Sequence, residues 1–563
     1  MPLFLSRRKG NTNMMSKNLM KLTTYAFVLF FLFSCSNSED KFPQQPNILF
    51  AIMDDVTYMH MGAYGSDWIN TPNFDRVAAQ GILFQNAYTP NAKCGPSRSN
   101  ILTGRNSWQL EEAVNHWAYF PVKFKSVAES LSENGYHVGY TGKGWAPGVA
   151  KHADGSPRDL LVHRYSELTL NPPTPHISNV DYAANFEAFL KDNKEGEPFF
   201  FWYGGLEPHR GYEYGSGIAK GGKQLSQVKD EDIYSFWPQV DSVRTDLLDY
   251  AYEIEYFDKQ LGKMLDQLEA SGQLENTLVI VTSDNGMAFP RIKGQEYEYS
   301  NHLPLAMMWP AGIKSTGRKV EDLVSFIDFA PTFLELAGIS EENSGMETIT
   351  GKSLTEILFS EKEGKVTGFR DRVLIGKERH DVGRPNDAGY PIRGMVKEGM
   401  LYLKNYKTDR WPVGNPETGY LNTDGGATKT VILNSIYSPD TFQFWNWSFG
   451  KRNEEELYDI KNDPDCMRNL ALEEGYQDIL QEMRMEMVTA LTEQGDPRMF
   501  GKGDVLERYP YADQGGVNFY ERYLKGEDVK YGWVNQTDFQ DLDEIETYQQ
   551  LKNGSNSMLL DKK

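Results

Sequence analysis

Cysteine is scarce in this chain: 563 residues contain three, Cys35, Cys94 and Cys466. Thiols so few and so far apart supply no disulfide framework, so a hydrophobic core must hold the fold. Positive charge is short as well. Lys and Arg number 58 against 79 Asp and Glu, a formal net charge of −21, which argues against nucleic acid as a partner and favours solubility. An anionic ligand would have to reach a local basic pocket against a repelling overall field. Long apolar runs are missing too: residues 25–33 form the apolar stretch near the start, far short of the roughly twenty residues of a membrane span. Internal repeats and low-complexity blocks are absent, which excludes a repeat architecture.

What stands at the start is a leader. Lys17 and Lys21 precede the apolar stretch and Ser34-Cys35 closes it, the order of a signal peptide. Leu32-Phe33-Ser34-Cys35 resembles a bacterial lipobox, which implies cleavage before Cys35 and lipidation of its thiol. Residues 1–34 then read as a lipoprotein signal peptide, with Met14 or Met15 as a tidier start, and residues 35–45 as a tether. Glu39-Asp40 in that tether is either part of a solvated linker or a faint surface-export signal. The expected location is the cell envelope, with the membrane reached only through the lipid anchor.

A mature chain of this length is expected to form one large domain and a smaller one. Residues 47–53 are a continuous apolar run that suits a strand buried on both faces of a largely parallel sheet. It delivers Asp54-Asp55 to the carboxyl end of the strand, where open α/β sheets place their sites. Thr71 before Pro72 predicts a helix start with Thr71 as its cap. Residues 126–134 read as a helix closing on Gly135, 136–140 as a strand ending at Gly142-Lys143, and 199–203 as a buried strand emptying into Glu207-Pro208-His209-Arg210. Apolar residues recur from 245 to 272 with the period of an amphipathic helix, and 278–282 is a strand leading to Ser283-Asp284-Asn285-Gly286. Strands alternating with helices predict an α/β sandwich with a large, mostly parallel sheet over residues 46–364.

From 365 to 495 the texture changes to short strand-like runs and one helix near 477–492, which predicts a smaller antiparallel sheet with a terminal helix. The tail, 496–563, has little periodicity and either wraps the large domain or rims a cleft. The aromatic cluster at 442–449 reads as core by default, with a sugar platform as the alternative.

The stretch that carries chemistry is Cys94-Gly-Pro-Ser-Arg-Ser-Asn-Ile-Leu-Thr-Gly-Arg105. Pro96 suits a first helical turn, which puts Cys94 at the positive end of a helix dipole, where an anion binds. A buried small hydrophobe is the competing reading of Cys94. Asp54-Asp55 and Asp284-Asn285 are pairs of hard oxygen ligands at strand ends, and a Ca²⁺ ion takes roughly six to eight oxygens. Adjacent strand residues point to opposite faces, so Asp54 and Asp55 converge only if the strand has ended. Taken alone, such pairs are ordinary solvated turns.

These pieces, C-G-P-S-R with L-T-G-R, P-N-I-L, G-K, P-H, S-D-N-G and L-Y-D-x-x-x-D-P, resemble the type I, formylglycine-dependent sulfatases of the alkaline phosphatase superfamily. The resemblance runs from Pro46 to about Leu472. Glu207-Pro-His-Arg210, Ser283-Asp-Asn-Gly-Met-Ala-Phe-Pro290 and Leu457-Tyr-Asp459 are most similar to N-sulfoglucosamine sulfohydrolase and bacterial polysaccharide sulfatases. It implies an alkaline-phosphatase-like sandwich with a smaller C-terminal subdomain. It also implies that a separate maturation enzyme oxidises Cys94 to formylglycine (3-oxoalanine), and that Asp54, Asp55, Asp284, Asn285 and the modified Cys94 bind one Ca²⁺. A thiolate is a poor ligand for so hard an ion, whereas an aldehyde hydrate has two hydroxyl oxygens. One hydroxyl would attack sulfur, and deprotonation of the other would expel sulfate, a release that a serine could not provide.

By the same resemblance, Arg98, Lys143, His209 and Lys293 hold the sulfate and the metal-bound oxygens, with His209 as proton donor to the leaving group. One departure stands out. Relatives read Gly-Lys-x-His where this chain has Gly142-Lys143-Gly144-Trp145, so either His116, His152 or His302 reaches in, or Trp145 lines the substrate pocket; a lining tryptophan suits a sugar ring. Arg379, His380 and Arg393 are candidates for binding a uronate or second sulfate, because arginine forks suit such anions; surface charge is the competing reading. The expected activity is hydrolysis of sulfate esters, or an N-sulfate, of a sulfated polysaccharide such as ulvan, carrageenan or a glycosaminoglycan. A formylglycine-dependent phosphonate or phosphodiester hydrolase and an inactive glycan-binding lipoprotein are the alternatives.

Overall fold

The computed structural model describes residues 45–529 and 531–549; the leader, Cys35 and most of the tether lie outside these. Seven strands build the large sheet: β1 (Asn47–Met53), β2 (Ile82–Tyr88), β3 (His137–Gly142), β4 (Phe199–Gly204), β5 (Thr277–Ser283), β6 (Leu305–Met308) and β7 (Arg318–Ser325). Their order is β7-β2-β6-β5-β1-β4-β3, and the two-residue strand His302–Leu303 pairs with β2. All neighbours run parallel except where β6 meets β2 and β5 and where His302–Leu303 meets β2.

The sheet is covered on both faces, which explains the unbroken apolar run of β1. Leu49, Ala51 and Met53 enter one core cluster, while Ile48, Phe50 and Ile52 enter the other. Helix α1 (Pro72–Ala79) packs on the first face. The expected cap at Thr71 is not formed. Its hydroxyl instead accepts from the Gly62 amide at 2.9 Å and meets the Asp75 carboxylate at 3.3 Å, so a loop contact has taken the capping oxygen. Helix α2 (Cys94–Thr103) buries Ile101 and Leu102 in the second cluster, as α3 (Val127–Glu133) buries Val127 and Leu131. Ser126 and Glu129 close a capping box at the start of α3, satisfying two end-group donors. Helix α4 (Asp241–Ala270) begins earlier than its apolar period suggested, and lays Leu247, Ile254, Leu261 and Leu268 on the first face.

A second sheet follows, formed by β8 (Arg372–Lys377), β9 (Ile392–Lys397), β10 (Met400–Asn405) and β11 (Glu455–Asp459), antiparallel throughout. The aromatic cluster is helix α5 (Phe442–Phe449), with Trp445 and Phe449 buried in the core. Helix α6 (Gln477–Glu493) covers the small sheet through Leu480, Met483 and Met487. In the tail, Tyr511, Phe519 and Tyr531 pack against Val382 and Leu421 of the 365–495 stretch, the Ala512 amide donates to the Trp117 carbonyl, and Trp533 lines the cavity above Cys94.

Candidate active site

The parallel register sets the site. Met53 pairs with Ser283 and Gly142 with Gly204, so β1, β3, β4 and β5 end at one level and release Asp54, Lys143, Gly205 and Asp284 at one edge. Asp55 has φ 80°, in the left-handed region that few non-glycine residues adopt. The strand has ended there, and this turn brings Asp54 and Asp55 to the same side. The Asp55 amide donates to Asp284 Oδ1 at 3.1 Å. Ligand atoms of Asp54, Asp55, Cys94 and Asp284 all lie within 4.8 Å of one another, and all four residues are buried. Asn285 donates its amide to Asp55 at 2.7 Å, while its Oδ1 is buried with no hydrogen-bond partner among the described residues.

Cys94 lies at the first position of α2, its Sγ 3.3 Å from Asp54 Oδ1 and 4.0 Å from Asp55 Oδ1. Burial, with the negative charge of Asp54, pushes the thiol well above its ordinary value despite Lys143 and Lys293. An unmodified Cys94 is therefore a neutral thiol, in spite of its place at a helix N-terminus. Burial also pushes the Asp284 carboxyl up, to about 7, with Asp54 adding to the effect. Burial acts on Asp54 in the same sense, but Lys143, His209 and Arg98 outweigh it and hold that carboxyl well below the usual range. Crowded buried carboxylates and an orphaned amide oxygen are a donor set for a hard divalent cation.

The cations are built in around this set. Arg98 is fully buried; its Nε donates to Asp284 Oδ2 at 2.8 Å and its Nη1 to the carbonyls of Lys143 and Gly144. Its Nη2 has no hydrogen-bond partner among the described residues. Lys143 pairs with Asp54, and Lys293 with Asp55 at 2.7 Å and Asp424 at 3.0 Å. His209 places Nδ1 2.5 Å from the Arg210 carbonyl, so Nδ1 carries the hydrogen and Nε2 is left for the cavity. Burial and Lys293 lower its pKa while Asp54 and Asp55 oppose them.

Above Cys94 opens a cavity of about 540 Å³ whose walls include Lys93, His116, Lys143, Trp145, His209, Lys293, Asp381, Asp424 and Trp533. Trp145 stands on this wall, its Nε1 donating to Ser99 Oγ of α2 at 2.8 Å. Of the three histidines considered for the vacant role, His116 lines the cavity. Its Nδ1 lies 2.9 Å from Asp381 Oδ1, and its buried Nε2 lacks a partner among the described residues. Burial pushes this imidazole down to about 4, so the ring is neutral. His302 is tied to Glu298 at 2.6 Å and to the Gln85 carbonyl at 2.8 Å, and His152 is exposed away from the cavity.

The proposed specificity residues are placed elsewhere. Arg393 is fully buried between Glu378 at 2.8 Å and Asp496 at 2.7 Å, His380 meets Asn91 Oδ1 at 2.7 Å, and Arg379 donates to the Tyr509 carbonyl. None of the three lines the cavity. Arg393 and Arg379 are buried ties to the tail, and His380 is a buried tie to the loop before α2; the nearby stretch contributes Asp381 instead. Asp381, Asp424, Lys93 and Trp533 were missed. Lys93 adjoins the motif, but the others lie in segments without a local signature.

A sheet with ligands at its carboxyl edge, a helix-borne cysteine and a ring of buried cations define a hydrolase of anionic esters. A family model described as Sulfatase matches residues 46–339, and the chain belongs to the sulfatase family, whose members hydrolyse sulfuric esters. The chain is 27% identical over 491 residues to human N-sulphoglucosamine sulphohydrolase, covering 82% of this chain and 93% of that protein. It is 25% identical over 510 residues to an ulvan-active sulfatase of Formosa agariphila, covering 84% and 79%. Among solved structures, BT4656 in complex with its substrate D-glucosamine-2-N,6-O-disulfate aligns with a TM-score of 0.55 at 21% identity, covering 80% of this chain and 99% of that one. This last likeness is one of fold.

Proposed function

We propose that the protein removes sulfate from a sulfated polysaccharide or its oligosaccharides, using formylglycine made from Cys94 and a Ca²⁺ ion held by Asp54, Asp55, Asp284 and Asn285. The observation that carries this reading is the convergence of three buried carboxylates on Cys94, with Asn285 bonded to Asp55 and Arg98 to Asp284 and each keeping a buried polar atom without a hydrogen-bond partner among the described residues. The hydrate and the ion together supply an oxygen nucleophile and a positive charge against the sulfate. The chain's own residues do the rest. Arg98 and Lys143, held against Asp284 and Asp54, and Lys293, aligned by Asp55 and Asp424, bind the sulfate oxygens, where fixed charges in a dry site stabilise what develops in the transition state. His209 gives its Nε2 proton to the leaving oxygen or nitrogen, which requires the imidazolium form. His116, fixed by Asp381 through Nδ1, presents Nε2 as a proton acceptor beside α2 and takes the place of the histidine that Trp145 replaces. Trp145 forms the sugar-facing wall.

The names of the relatives, which act on ulvan and on glucosamine-linked sulfate, support a polysaccharide substrate. The lipobox-like Leu32–Cys35 supports an exported, lipid-anchored enzyme that meets glycans from outside. Two measurements test the reading. Mass spectrometry of the Cys94 peptide from the native host should show an aldehyde in place of the thiol, and the protein should release sulfate from defined sulfated oligosaccharides faster than it cleaves aryl phosphate diesters. An unmodified thiol, or faster diester turnover, would overturn it.

A further inference from the structure

A second cavity, of about 660 Å³, adjoins the first and shares His209 and Trp533 with it. Its lining differs in charge. The first cavity holds three lysines, Lys93, Lys143 and Lys293. Among the described residues lining the second, Arg210 is the one arginine and lysine is absent. Three of the five N–H groups of Arg210 are engaged, its charge facing a carboxylate: Nη1 and Nη2 bind Asp246 at 2.8 and 2.7 Å, Nε donates to the Ala288 carbonyl, and its Cζ lies 4.1 Å from the Phe289 ring centroid. A second carboxylate, Asp249, also faces this space and accepts from the Gly215 and Gly217 amides. With one guanidinium already facing Asp246, an anionic group entering here gains little counter-charge, and it meets a negative field above the pH of about 6 to which burial raises the Asp249 carboxyl.

The remaining surface suits a pyranose. Trp533 is half-buried and its indole is held by a hydrogen bond from Nε1 to the Leu421 carbonyl at 2.9 Å. Tyr214, 62% exposed, stands on another wall, and Gly425 and Gly426 line the same cavity, the Gly425 amide bonded to the Trp533 carbonyl. Rigid aromatic faces with exposed polar tips bind sugar rings at little entropic cost.

We infer that this cavity is a subsite for an uncharged sugar next to the sulfated one, so that the preferred substrate is an oligosaccharide in which a sulfated residue adjoins a neutral residue. The inference rests on the polysaccharide-sulfatase reading of the adjoining site. His209, shared by both cavities, stands where the bond to the departing sugar is broken. A uronate or a second sulfate on that neighbour is disfavoured by Asp246 and Asp249.

The test uses the matured enzyme with a sulfated monosaccharide and with trisaccharides carrying one sulfate on the central sugar, flanked either by neutral hexoses or by glucuronate. The readout is the ratio of kcat/KM for each trisaccharide to that for the monosaccharide. For the neutral-flanked substrate the ratio should be about ten or more, for the glucuronate-flanked one near or below one, and Tyr214→Ala should lower the first ratio about tenfold, as loss of an aromatic anchor does. Equal ratios for the two trisaccharides, or a ratio unmoved by Tyr214→Ala, would overturn the subsite. If none of these substrates releases sulfate, the reading of the adjoining site fails instead. The subsite is then judged by calorimetric binding of unsulfated neutral trisaccharides of glucose, galactose, mannose and N-acetylglucosamine. Binding weakened by Tyr214→Ala supports it, and no binding refutes it.

Discussion

Calcium should bind this site with the release of a proton, and the stoichiometry follows from Asp284. Its carboxyl is wholly buried, and burial together with Asp54 pushes it up to about 7 against the pull of Arg98 and Lys143. A raised carboxyl holds its proton below that pH, and a cation ligates the carboxylate, so binding must expel the proton below about pH 7 and need not above it. One unit lower, near pH 6, about nine sites in ten carry the proton, and calcium affinity should be about tenfold below its plateau, or about 1.4 kcal/mol. Titration calorimetry of chelator-stripped protein, run in two buffers of different ionisation enthalpy, counts the protons directly. We expect nearly one proton per calcium near pH 6 and nearly none about two units higher. Constant affinity across that range with no proton release would show that Asp284 is already ionised before calcium arrives, or that it is not a ligand.

Further outcomes follow from the same geometry. Cys94→Ala should abolish sulfate release while leaving the unfolding transition nearly intact, since the thiol is small, buried and neutral; wild-type turnover by this variant would refute the nucleophile. Turnover should fall as pH rises through a value below the ordinary histidine pKa of about 6.5, because the donor form of His209 is the imidazolium and burial with Lys293 lowers its pKa. A pH profile whose alkaline limb vanishes in His209→Gln checks it. His116→Ala should lower kcat about a hundredfold or more, with Asp381→Asn producing a smaller loss in the same parameter, as steady-state kinetics would show. Arg393→Met should cost about 3–5 kcal/mol of stability by stranding the buried Asp496 carboxylate, while Glu378 keeps Arg498, with little change in KM; a large KM effect and an unshifted denaturation midpoint would restore it as a substrate residue.

The parts of the site that were legible in the sequence are those fixed by short-range order. Asp54-Asp55 and Asp284-Asn285 follow directly on apolar runs, so once β1 and β5 are recognised as parallel neighbours their carboxyl ends must meet. Cys94 and Arg98 share one turn of α2, so their relation is helical geometry. The specificity residues failed for the opposite reason. Arg393 sits on β9 in an alternating stretch that looks half-exposed, and its partner Asp496 is far along the chain, so its burial as an ion pair has no local trace. Asp381 was passed over for the charged residues just before it, although it is the one that faces the cavity and orients His116. Thr71 shows the same limit on a smaller scale: a good capping residue was captured by the Gly62 amide, a tertiary contact that no window around it reveals.

Trp533 lies close to the end of the described chain, yet it stands on the wall of a cavity whose floor is Cys94. Asp381 and Asp424, too, come from segments that follow the large sheet. The floor at Cys94 thus comes from the part of the chain that builds the large sheet, whereas the walls draw both on its loops, with Trp145 and His116, and on later stretches, with Asp381, Asp424 and Trp533. Replacement of the later stretches would therefore change the enclosure and also release His116 and Lys293 from Asp381 and Asp424, although the strand ends of the large sheet stay in place. Until those stretches have emerged and docked, a newly made chain has a floor but no complete enclosure, which delays selective turnover until synthesis and folding are nearly finished.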